Sequence, residues 1–184
     1  MYKLLITMTH EPQPDTMSAE EYIRQGGSET DWDDVPDDAN GLSEEFMTEF
    51  QDILNWDWVS CIQSNLTEDM IRKFQDKVNW DWVSTDRALS EDFIREFRER
   101  VNWKKVSQFQ TLSEDFMKKH QDRIDWEYAS CHQKMGEDFI SEFKCYVDWD
   151  HISRYQVLSS GFIEEFAPYV PHSPAYSEDH CPIQ

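Results

Sequence analysis

Apolar residues recur along the chain at helical intervals. In residues 89–111, Leu89, Phe93, Ile94, Phe97 and Val101 fall at i, i+4, i+5, i+8 and i+12. That spacing predicts one apolar face of a helix of about three turns. Ser90 stands where an N-cap belongs, and Glu91 and Asp92 fill the first turn at the positive end of the helix dipole. Leu89 and Ile94 take the N′ and N4 places of a hydrophobic staple, and Arg98 and Arg100 gather toward the carboxyl end. Leu66, Thr67 and Ile71 repeat this logic, as do Leu112, Ser113 and Met117. The Asn or Asp before each repeated Trp predicts the N-cap of a second, shorter helix, running here from Trp103 to about Gln110.

The same pair of elements recurs down the chain. Trp32, Trp56, Trp80, Trp103, Trp126 and Trp149 are separated by 24, 24, 23, 23 and 23 residues. Each lies in a D/N-W-x-x-V/A/I unit, followed in all but the first copy by Ser60, Ser84, Ser107, Ser130 or Ser153. A lone hairpin of this size cannot bury its apolar face, so neighbouring copies must stack. The predicted fold is an all-α solenoid of about 23-residue two-helix repeats, with the tryptophans in the core. The alternative makes W-x-V-S a short strand and the array a leucine-rich-like α/β coil. The expected organisation is an N-terminal arm over 1–16, an array over 17–170 and a loose tail over 171–184. Within the array, 17–41 is a degenerate capping repeat containing Gly26, Gly27 and Pro36. Residues 42–157 hold five regular repeats, and 158–170 form a closing half repeat that runs into Pro168, Pro171 and Pro174.

The repeats, with cores such as LSEDFIREF and VNWKKVS, resemble the tandem units of hypothetical proteins from large DNA viruses and some bacteriophages, close to LSEEFI…DKVDWxxIS. The resemblance covers 42–166. It implies a viral or phage origin, and with it an interaction factor directed at a host, acting in the host cytoplasm. It carries no functional residue over, because the family is not tied to one activity.

Charge changes the picture most. The 184 residues carry 38 Asp and Glu against 17 Lys and Arg, for a formal net charge of -21. Such a surface repels nucleic acid and anionic membranes, so neither is expected as a direct partner. No apolar run reaches the roughly 18 residues of a membrane span. The apolar start Tyr2 to Met8 lacks a basic region beyond Lys3 and a small-residue cleavage site, so it is not read as a signal peptide. Cys61, Cys131, Cys145 and Cys181 show no CxxC spacing and are expected to be reduced, in a cytosolic setting.

The acidity is uneven. Residues 17–41 hold eight acidic residues against Arg24 alone, and 42–65 hold five with no base. Six acids crowd one segment: Glu29, Asp31, Asp33, Asp34, Asp37 and Asp38. This run, extended by Glu44 and Glu45, is the candidate surface for a host protein with a basic groove, such as a defence or nucleic-acid-processing factor, by imitation of nucleic acid. A plain solvated loop is the competing reading. Seven repeats about 10 Å apart would span about 70 Å, along which duplex DNA carries on the order of 40 charges. Any imitation is therefore of a short stretch, at the N-terminal end. Acidic pairs also open the later helices, as Glu68-Asp69, Glu91-Asp92, Glu114-Asp115 and Glu137-Asp138 do. They would form a ladder along one edge, or simply serve as favourable first-turn acids.

Two further candidates are aromatic. The position two after each Trp varies, as Asp34, Trp58, Trp82, Lys105, Tyr128 and His151, which predicts exposure. Trp58 and Trp82 could make an aromatic face on which a structural scaffold recruits a protein partner, and packing between neighbouring repeats is the competing reading. The recurring serines read as structural, and His120 as a substitution for Phe on the apolar face. His172, His180 and Cys181 fit no standard zinc spacing. Nearly every polar residue is explained by capping, dipole or solvation, so neither catalysis nor a cofactor is expected. The oligomeric state is left open.

Overall fold

The computed structural model of the protein describes residues 17–26, 29–36, 41–62, 65–86 and 88–170. The predicted arm 1–16, the tail 171–184, Gly27, Asp37 and Asp38 lie outside the described residues. Two compact units divide the chain, Met1–Val78 and Asn79–Gln184. The first holds α1 (Ala19–Gly26), α2 (Glu44–Glu49), α3 (Trp56–Ile62) and α4 (Glu68–Lys73). The second holds α5 (Trp80–Asp86), α6 (Glu91–Glu96), α7 (Trp103–Phe109), α8 (Glu114–Lys119), α9 (Trp126–His132), α10 (Glu137–Glu142), α11 (Trp149–Tyr155) and α12 (Ser160–Glu165). The described residues contain no strand, so the fold is the all-α two-helix repeat and not the α/β coil.

The caps stand where the sequence puts them. Ser43, Thr67, Ser90, Ser113 and Ser159 accept the backbone N–H three residues on, closing the first turns of α2, α4, α6, α8 and α12. Asn102, Asp125 and Asp148 do the same for α7, α9 and α11. One expectation fails: in the repeats that follow α1, the first helix does not run for three turns. It spans six residues and breaks at the next aromatic, Phe97 in α6, whose φ of -104° and ψ of 28° leave the helical region. The carbonyl of Phe97 then accepts from both Arg100 and Val101, at 2.8 and 3.0 Å. That turn keeps Val101 on the buried face, which is why the apolar spacing mimics a longer helix.

Within the second unit the Trp-bearing helices pack in series, α5 on α7, α7 on α9 and α9 on α11. Buried apolar residues such as Val83, Val106, Ala129 and Ile152 lie along this stack, together with Phe93, Phe116, Phe139 and Phe162 of the other helices. Each Trp leans on the aromatics of the following repeat. Trp126 lies 6.2 Å from Phe139 and 5.1 Å from Phe143, and Trp149 lies 6.4 and 5.6 Å from Phe162 and Phe166. In the first unit Trp56 meets Phe74 at 4.9 Å.

The tryptophans are not uniformly core. Trp149 is buried, but Trp56, Trp80, Trp103 and Trp126 are partly exposed. An indole N–H sealed inside would need a partner. Here Trp56, Trp103, Trp126 and Trp149 donate to the carbonyl five residues back, which satisfies the indole N–H whether the ring is buried or at the edge of the core.

Candidate functional site

The acidic run belongs to the first unit. Glu29, Asp31, Asp33 and Asp34 are all exposed. Asp31 organises the turn: its side chain accepts the Asp33 N–H at 3.2 Å and its carbonyl accepts that of Asp34 at 3.3 Å. Among the described residues none of these four carboxylates forms an ion pair. The basic side chains described in this unit are occupied elsewhere. Arg24 meets Glu49 at 3.4 Å and lies over the rings of Phe46 and Phe50, Arg72 meets Glu68 and Asp69, and Lys77 meets Asp52 at 2.8 Å. Lys73 is bound at 2.6 Å by Glu44. Glu44 is therefore partly neutralised, whereas Glu45 beside it stands exposed on the first turn of α2.

The acidic pairs divide into two kinds of residue. In three of the later pairs the first acid reaches across to the next repeat and accepts the backbone N–H of its N-cap. Glu91 accepts from Ser113 and Glu114 from Gly136, both at 2.6 Å, and Glu137 accepts from Ser159. In the first unit Glu20 accepts from Ser43 at 2.7 Å. The second acids, Asp92, Asp115 and Asp138, face solvent. The ladder of acids expected along one edge is thus half inter-repeat clamp. In α12, which opens with Ser160 and Gly161, the first turn carries no acid.

Two polar devices went unread in the sequence. Ser84, Ser107 and Ser130 are fully buried, and each hydroxyl accepts the backbone N–H eighteen residues on, from Asn102, Asp125 and Asp148. Ser84 and Ser130 also donate to the carbonyl of their own Trp at 2.6 Å. The second device is a glutamine ladder. Gln110 accepts from the Leu89 N–H and donates to the Ser84 carbonyl, both at 2.9 Å. Gln133 accepts from Leu112 and donates to Ser107 and Gln110; Gln156 accepts from Met135 and donates to Ser130 and Gln133. The 23-residue recurrence of Gln was the available signal.

The aromatic candidates separate. Trp58 is partly exposed and packs against Trp32 at 5.6 Å in the first unit. Trp82 belongs to the second unit and is 41% exposed. In that unit the residue two after the Trp stacks on the one four further on, Tyr128 on His132 and His151 on Tyr155, while Lys105 lies over Phe109.

Cys61, Cys131 and Cys145 are free thiols. Among the described residues no group of three or more His, Cys, Asp or Glu side chains is placed to hold a metal ion, and no helix is long and apolar enough to cross a membrane. His172, His180 and Cys181 lie outside the described residues. Among the described residues one ionisable group is clearly displaced. Burial, with the nearby Arg95, Arg123 and Arg98, holds the His120 imidazole below its ordinary pKa of 6.5, against the opposing pull of Asp122. Its ring lies 5.4 Å from Trp103 and 4.5 Å from Phe116. No family model, curated protein or solved structure matches the chain.

Proposed function

We propose that the protein binds a host protein through the acidic surface of its first unit and inhibits it by occupying a basic groove. The groove is one that otherwise receives nucleic acid, so the target is a defence or nucleic-acid-processing factor. The observation that carries this reading is the exposed run Glu29, Asp31, Asp33 and Asp34, which makes no ion pair among the described residues while Arg24, Arg72, Lys73 and Lys77 are committed elsewhere. Asp37, Asp38 and Glu45 add charge to the same stretch of chain. A viral or phage source and a place in the host cytoplasm belong to this proposal and rest on the repeat resemblance alone.

Competition tests it. Proteins captured from a bacterial lysate are eluted with salt, identified and offered labelled duplex DNA. The protein should displace the DNA, and less effectively as salt rises. Capture of a partner that keeps its DNA at saturating protein contradicts the reading.

A second reading has its own observation. Trp82, Phe109 and Tyr155 of the second unit are 41, 48 and 58% exposed, the kind of surface on which a scaffold recruits a partner. Such binding would survive high salt, where an acidic contact would not.

A further inference from the structure

The glutamine ladder of the second unit stops one rung short of the end of the stack. Gln133 sits in a seat made by three backbone groups: it donates to the carbonyls of Ser107 and Gln110, at 2.9 and 2.7 Å, and accepts the Leu112 N–H at 2.9 Å. Gln156 fills the same seat one repeat on, donating to Ser130 at 3.0 Å and Gln133 at 2.7 Å and accepting from Met135 at 3.2 Å. The three groups recur once more as the Ser153 carbonyl, the Gln156 carbonyl and the Leu158 N–H. Among the described residues no side chain reaches them. Leu158 is partly exposed, whereas Leu112 and Met135, at its position in earlier repeats, are buried. Ser153 is exposed where Ser84, Ser107 and Ser130 are fully buried.

The sequence carries no glutamine in register for a further rung. The backbone N–H that Ser153 would accept belongs to residue 171, which is proline and has none. The next ladder position, 179, is aspartate, whose carboxylate has no N–H to donate to the two carbonyls.

We propose that this end of the second unit is a docking site for a short helix of a partner protein that carries a glutamine just after its last turn. The glutamine amide donates to the Ser153 and Gln156 carbonyls and accepts from Leu158. The docked helix lies against α11 as α11 lies against α9, continuing an interface the protein already builds. Its N-cap N–H goes to the Ser153 hydroxyl, and a small or β-branched residue takes the place that Ala129 and Ile152 hold. A whole repeat has no seat here, because α12 lacks the carboxylate by which Glu91, Glu114 and Glu137 clamp the following N-cap. The site is independent of the acidic surface of the first unit.

The probe is a synthetic peptide of residues 124–136, the segment that carries Gln133 and fills the seat two repeats before the empty one. It is stapled between positions 127 and 131, since so short a helix is marginal alone. It is titrated into the full ¹⁵N-labelled chain. The expected result is saturable movement of the Leu158 amide signal with slower hydrogen exchange there. The same peptide carrying Gln133→Glu, which puts acceptors against the two carbonyls, should bind roughly tenfold more weakly or worse. Equal binding of the two peptides, or no response at Leu158 at millimolar peptide, overturns the proposal. So does a Leu158 amide already protected before peptide is added, which would put the chain's own segment in the seat.

Discussion

Residues 17–78 and residues 79–170 are built from the same repeat but use their charged residues differently. The first stretch has sixteen acidic residues and four basic ones, the second eighteen and twelve. In the second, the first acids of the helical pairs and many of the bases are consumed by the stack: Glu91, Glu114 and Glu137 clamp N-caps, Glu99 holds Arg123, and Glu142 holds Lys118. In the first, the bases are likewise consumed, but Glu29, Asp31, Asp33 and Asp34 are left over. The buried polar ladder is also traced through three successive rungs in the second stretch, Gln110, Gln133 and Gln156. Acid in a repeat array is informative only after subtraction of what the stacking itself requires.

Removal of a rung has the largest expected effect. Gln133→Leu leaves the Leu112 N–H and the carbonyls of Ser107 and Gln110 without their partner in a buried place. The expected cost is about 3 kcal/mol, read by chemical denaturation. Partner binding through the first unit should be unchanged in conditions where the variant is folded. A loss under 1 kcal/mol would mean that the ladder is ornamental.

A clamp should weigh less, and its neighbour almost nothing. Glu114→Ala removes the acceptor of the Gly136 N–H at an exposed site, for an expected loss of about 1 kcal/mol. Asp115→Ala beside it should stay within about 0.5 kcal/mol. Equal effects would return both acids to the status of ordinary first-turn residues.

The smallest effect concerns pH. Burial and the nearby Arg95 put the folded pKa of His120 below the unfolded value of 6.5. Its share of stability is complete above that value and is lost as pH falls through it toward the folded pKa, because only the unfolded chain takes up the proton at first. His120→Phe, which restores the aromatic found at this place in Phe97 and Phe143, should flatten the pH dependence of the midpoint below pH 6.5. An unchanged slope would remove His120 from the acid response.

Much of this was legible in the sequence. Caps, staples and tryptophan spacing are local, so the repeat and its helical class follow from residues such as Ser90, Asn102 and Trp103. The length of the first helix was not legible, since a six-residue helix and a turn at Phe97 preserve the same apolar spacing as three continuous turns. Nor were the clamps, because Glu91 at a first turn satisfies the helix dipole equally well whether or not it reaches Ser113. Buried glutamines were missed because Gln reads as a surface residue, and only its partners one repeat away show otherwise. Of the candidate surface, exposure at Glu29, Asp31, Asp33 and Asp34 followed from composition, while the neutralisation of Glu44 by Lys73 needed the fold.

The most direct test of the acidic surface compares the protein with a variant carrying Asp31→Lys, Asp33→Lys, Asp34→Lys, Asp37→Lys and Asp38→Lys. Both are used to capture partners from one bacterial lysate and are washed with rising salt. The account predicts a nucleic-acid-binding protein held by the unaltered chain, released as salt rises, and absent from the variant, with both chains folded alike. Capture of the same protein by both chains, resistant to salt, would contradict it.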